Sequence, residues 1–132
     1  LTVPVGIDTL ASCFDNGIDG VMAYNHTMVM NMRDKFCRAL DIAPPAPRSM
    51  IGSIAALPIN LDVLSSSEGT DPIQNLLFEK YKIEAYVASP ARNPTRTLRL
   101  SAQLYNDESQ FDTLLNALLE IQTDHNIQLS RP

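Results

Sequence analysis

In the run Leu98-Arg99-Leu100-Ser101-Ala102-Gln103-Leu104-Tyr105-Asn106, aliphatic residues alternate with an arginine, a serine, a glutamine and a tyrosine. Period-2 alternation predicts a half-buried β-strand, with the aliphatics inward and the polar residues on the opposite face. An arginine in mid-strand is carried on a rigid element, and its planar guanidinium can grip a carboxylate through two parallel hydrogen bonds. Two readings of Arg99 follow. It belongs to a solvated strand face, or it is a receptor for an amino acid or other small acid, with Ser101, Gln103 and Tyr105 on the same face supporting it by hydrogen bonding. Arg92 and Arg96, in the loop before this strand, either assist with a second carboxylate or are solvated loop residues.

Other chemistry-bearing residues form no recognisable set. His26 and His125 are isolated, and Cys13 and Cys37 have no Cys-x-x-Cys partner, so the pattern of a metal site is missing. Spacing suggests no Ser-His-Asp or Cys-His arrangement, and the five glycines never cluster as a phosphate-binding loop. Both cysteines fall in apparent helices and read as small buried apolar side chains, with a reducing, cytoplasmic setting as the default. A net charge of -5, with ten Lys and Arg scattered along the chain, argues against a nucleic-acid partner. The apolar stretches are too short for a bilayer, and the start lacks the basic region of a signal peptide, so a soluble protein without a membrane partner is expected.

The elements that must position these residues are readable from periodicity. Residues 3–14 carry Ile7, Leu10, Ala11 and Phe14 at helical spacing and end at Asp15-Asn16-Gly17, where Gly17 can adopt positive φ. Residues 18–40 place Ile18, Val21, Met22, Asn25, Val29, Met32, Phe36 and Leu40 on one stripe, the longest helix. Pro44-Pro45-Ala46-Pro47 is a stiff extended connector. A first strand over 50–57 is closed by Pro58, and a mobile, nicking-prone loop is expected over 65–70. Asp71-Pro72-Ile73-Gln74 reads as N-cap, first-turn proline and capping-box glutamine of a helix with Ile73, Leu76, Leu77 and Tyr81 inward. A second strand spans 83–87. After the strand bearing Arg99, Asp107 and Gln110 cap a final helix with Phe111, Leu114, Leu115, Leu118 and Leu119 on one face, and His125 near its end favours the helix dipole. The order α-α-β-α-β-β-α predicts a single α+β domain over residues 1–132: a small, mainly antiparallel three-stranded sheet covered on one face by helices. At this length the core is large enough to stand without staples.

The segment Thr97-Leu98-Arg99-Leu100-Ser101-Ala102-Gln103-Leu104-Tyr105-Asn106 resembles the last strand of class V aminotransferase-type enzymes that use pyridoxal phosphate. Met50-Ile51-Gly52-Ser53-Ile54-Ala55-Ala56-Leu57-Pro58 resembles the first strand of the C-terminal domain of isopenicillin N epimerase-like members, and Gly17 through Leu40 the long helix before it. The resemblance implies that the chain is the small, substrate-binding domain of a longer enzyme, an isomerase or transferase acting on an amino acid. Its large cofactor-binding domain would precede Leu1 and would be its partner. It implies that Arg99 clamps the substrate α-carboxylate, that pyridoxal phosphate is bound by the large domain and not by this chain, that the chain has no activity alone, and that homodimerisation is the family habit. The loop 88–96 lacks the cysteine of the related desulfurases, and Ala85-Tyr86-Val87 with Ser89-Pro90 departs from the Val-Pro-Val and tryptophan pattern of epimerase-like relatives. The alternative is a free-standing α+β module that binds a small molecule or protein without pyridoxal-phosphate chemistry.

Overall fold

A pleated backbone turns successive side chains to opposite faces. Accordingly, strand β3 (Arg96–Ser101) buries Leu98 and Leu100 and exposes Arg99 and Ser101. The computed structural model describes residues 2–59, 70–88 and 95–124. β3 is central in an antiparallel sheet of order β1-β3-β2, flanked by β1 (Ile54–Ile59) and β2 (Tyr86–Ala88). The register pairs Leu57 with Leu98, Ala55 with Leu100 and, from the other side, Val87 with Leu98. These inward residues make one apolar face.

Helices α1 (Thr2–Ala11), α2 (Ile18–Ala39), α3 (Pro72–Tyr81) and α4 (Glu108–Asp124) complete the predicted order, and the fold is α+β, with helices packed on the apolar face of the sheet. Val29, Met30 and Phe36 of α2, Ile73 and Leu77 of α3, and Ile121 of α4 close over Leu57, Ile59, Leu98 and Leu100, all of them nearly or fully buried. Each such side chain contributes about 1.5–3 kcal/mol by leaving water. Among the described residues no helix is long and apolar enough to cross a membrane.

Several boundaries differ from the pattern for local reasons. β1 begins four residues later than expected, because Arg48–Met50 form a 3-10 turn, and it runs through Pro58. β1 is an edge strand, where a residue without an N–H is tolerated. β2 is confined to three residues. In α2 the buried face is wider than one stripe: Met28, Met30 and Cys37 are buried as well, whereas Met22 and Ile18, at the helix start, are exposed. α1 stops at Ala11 and buries none of its side chains, and Cys13, just beyond it, is exposed rather than buried. Gly17 has the expected positive φ of 64°, and a Cβ on Gly20 would stand 2.2 Å from Asn16 Oδ1 and 2.5 Å from Phe14 Cβ, so only glycine allows the turn to lie against α2. The expected loop at 65–70 and His125 lie outside the described residues, apart from Thr70.

Candidate functional site

Arg99 projects from the face of the sheet opposite the one on which the helices of the described residues pack. Its neighbours there follow from register: Ala56 of β1 on one side, Tyr86 of β2 on the other. Alanine leaves space above β1, and the tyrosine offers an aromatic surface. The guanidinium carbon lies 4.5 Å from the centroid of the Tyr86 ring. A cation–π contact at an exposed site is worth about 0.5–1 kcal/mol, enough to bias the side chain toward one orientation while leaving the guanidinium edge free to donate. Among the described residues no carboxylate is paired with Arg99.

Arg99 and Tyr86 line a groove of about 670 Å³ that reaches from the β2 edge to the start of α4, with Glu84, Ser101, Asn106 and Gln110 also on its walls. The far wall is locally over-determined. Asp107 Oδ1 accepts from Gln110 N at 3.2 Å while Gln110 Oε1 accepts from Asp107 N at 3.3 Å, the reciprocal capping box expected from the sequence. Asn106 Nδ2 also donates to Gln110 Oε1 at 3.0 Å. Hydrogen bonds from the Ser109 hydroxyl and the Gln110 amide hold the Asp107 carboxyl below the ordinary carboxylate range.

The residues expected to accompany Arg99 separate. Ser101 lines the same groove. Gln103 and Tyr105 do not, because β3 ends at Ser101. Ala102 N donates to Ser53 O, after which Asn106 Oδ1 accepts from Gln103 N at 3.0 Å and Asn106 N donates to Gln103 O at 2.8 Å, closing a turn. The apparent alternation over 102–106 is therefore turn chemistry rather than strand. Gln103 Oε1 instead accepts from buried Asn25 Nδ2 at 2.8 Å and from Leu104 N, and Tyr105 is exposed.

Arg96 is the first residue of β3 and not a solvated loop residue: it is buried, and its Nε donates to Asp71 Oδ2 at 2.8 Å. Arg92 lies outside the described residues. Gln74, expected to complete a capping box on α3, accepts instead from Val87 N at 2.9 Å and so ties α3 to β2. Sequence reasoning did not single out Tyr86 and Glu84 as site residues. Their signal is the alternation Ile83-Glu84-Ala85-Tyr86-Val87, whose polar face adjoins that of β3.

Pyridoxal phosphate, implied by the resemblance, needs a lysine amine to hold its aldehyde, and such a lysine is activated by desolvation or neighbouring cations. The chain has three lysines. Lys35 is bonded to Asp112, Lys80 to Glu120 at 2.9 Å, and Lys82, on the groove wall, to the Glu79 carbonyl at 2.8 Å, and none of the three is buried. These residues do not fit the cofactor. Nor does any group of three His, Cys, Asp or Glu among the described residues fit a metal ion.

The fold and groove thus define an α+β domain with an arginine on an open sheet face. Compared with known proteins, the chain matches no family model and no curated sequence.

Proposed function

We propose that this chain is the C-terminal substrate-binding domain of a pyridoxal-phosphate enzyme of the class V aminotransferase type, like isopenicillin N epimerase. It acts on an amino acid in the cytoplasm together with a large domain that holds the cofactor. Arg99 grips the substrate carboxylate and positions it; the chemistry belongs to the cofactor and to groups of the large domain. The observation that carries the reading is Arg99 itself, a mid-strand guanidinium with no carboxylate partner among the described residues, stacked on Tyr86 in the wall of a groove of mixed polar and apolar lining. The two segments that resemble the family, around 50–58 and 97–106, supply the paired strands β1 and β3, which also supports it.

The test uses an antibody to this chain on an extract of cells that express it, with borohydride reduction of the captured protein. A polypeptide well above 14.6 kDa carrying pyridoxyl fluorescence is the expected result. Capture of a 14.6 kDa chain alone, without fluorescence, overturns the reading in favour of a free-standing module.

A further inference from the structure

Glu84 lines the same groove as Arg99 and carries the opposite charge. The two do not neutralise each other. Arg99 lies over the Tyr86 ring at 4.5 Å, and exposed Glu84 is paired with no cation among the described residues. Tyr86 is the register partner of Arg99 and takes the guanidinium onto its ring, while Glu84 stands two residues before Tyr86, at most about 7 Å further along the backbone. Lys82, the other charged residue on these walls, donates to the Glu79 carbonyl. The groove wall thus carries Arg99 and Glu84 as opposite charges not paired with each other, beside Lys82, whose ammonium is held on a backbone carbonyl.

An exposed Arg–Glu pair gains little from closing on itself, about 0–1 kcal/mol, which the Tyr86 stack matches. A ligand with a carboxylate at one end and an ammonium at the other satisfies both charges at once and replaces water on both. We propose that the groove binds zwitterionic amino acids by both ends, Arg99 taking the carboxylate and Glu84 an ammonium set several bonds away from it. This rests on the carboxylate role of Arg99 given above and adds Glu84 as the residue that selects for a cationic end. The Ser101 hydroxyl lies on the wall to meet polar atoms of the ligand.

The experiment titrates the full chain with 5-aminovalerate, pentanoate and pentylamine, following backbone amide shifts by NMR, for the wild type, Glu84→Gln and Arg99→Lys. Each charge-assisted contact changes affinity by on the order of tenfold. In the wild type, 5-aminovalerate binds about tenfold more tightly than pentanoate. Glu84→Gln removes that advantage and leaves pentanoate unchanged, with amide shifts away from the groove preserved. Equal binding of 5-aminovalerate and pentanoate by the wild type, or an equal loss of both in Glu84→Gln, overturns the role of Glu84 while the Arg99 reading stands. Binding of pentanoate that is absent from the wild type, or indifferent to Arg99→Lys, overturns the Arg99 reading and this inference with it.

Discussion

Replacing Asp71 by asparagine separates two functions that one carboxylate performs. Its Oδ1 accepts from Ile73 N at 2.8 Å and caps α3, while its Oδ2 accepts from Arg96 Nε at 2.8 Å and anchors the start of β3. Side-chain exposure is 2% for Asp71 and 7% for Arg96, so solvent screens little of this pair. Breaking a buried pair by removing one partner costs about 3–5 kcal/mol, because the other charge stays desolvated. Asn keeps the cap oxygen, so Asp71→Asn should lose about that amount, and Asp71→Ala about 1 kcal/mol more for the lost cap. The double variant Asp71→Asn, Arg96→Met should recover a large part, since neither position then carries a buried charge. Urea unfolding followed by circular dichroism reads these values at constant slope, and a thermal scan should show roughly 4 °C per kcal/mol. Asp71→Asn costing less than about 1 kcal/mol, or a double variant no more stable than the single, would refute the view that this pair joins α3 to the sheet.

Further outcomes follow from the same contacts. With Cys13 exposed, and with burial pushing the Cys37 thiol up from its ordinary value, a thiol reagent at neutral pH should titrate one cysteine in the native protein and two in denaturant; two fast-reacting thiols in the native state would contradict the packing of α2. Asp107 has a carboxyl held below its ordinary value of 3.8, so its share of stability is present above that pH and lost as the pH falls through the lower, folded-state value. The stability difference between wild type and Asp107→Asn, measured across acid pH, should shrink in that range and not at pH 6–8. Gln74→Leu removes the acceptor for Val87 N, costs about 1 kcal/mol, and should speed hydrogen exchange at Val87 more than at Leu98.

The fold was legible wherever a period ran uninterrupted. Leu98, Arg99 and Leu100 announce β3, and Phe111, Leu114, Leu115 and Leu118 announce α4, because burial on one face imposes the pattern directly. The pattern misled where short-range hydrogen bonds imitate it. Gln103 and Tyr105 continue the alternation in sequence, yet Asn106 closes a turn there. Gln74 sits at a capping-box position yet answers a strand thirteen residues away. Arg96 could not be told from a solvated arginine, since its partner Asp71 is brought to it only by the tertiary fold. The same holds for the groove: Arg99 was readable from one strand, whereas Tyr86 and Glu84 join it only once β2 is placed beside β3.

The role proposed for Arg99 is a two-point grip on a ligand carboxylate. The most direct measurement compares binding of L-alanine and L-alaninamide to the full chain and to Arg99→Lys, by NMR titration reporting on the Arg99 side-chain Nε–H in the wild type. A planar fork loses its geometry when replaced by an ammonium, so the wild type should prefer the acid by on the order of tenfold and the lysine variant should lose most of that preference. Equal affinity for acid and amide in the wild type, or an unchanged preference in Arg99→Lys, would return Arg99 to a solvated strand face.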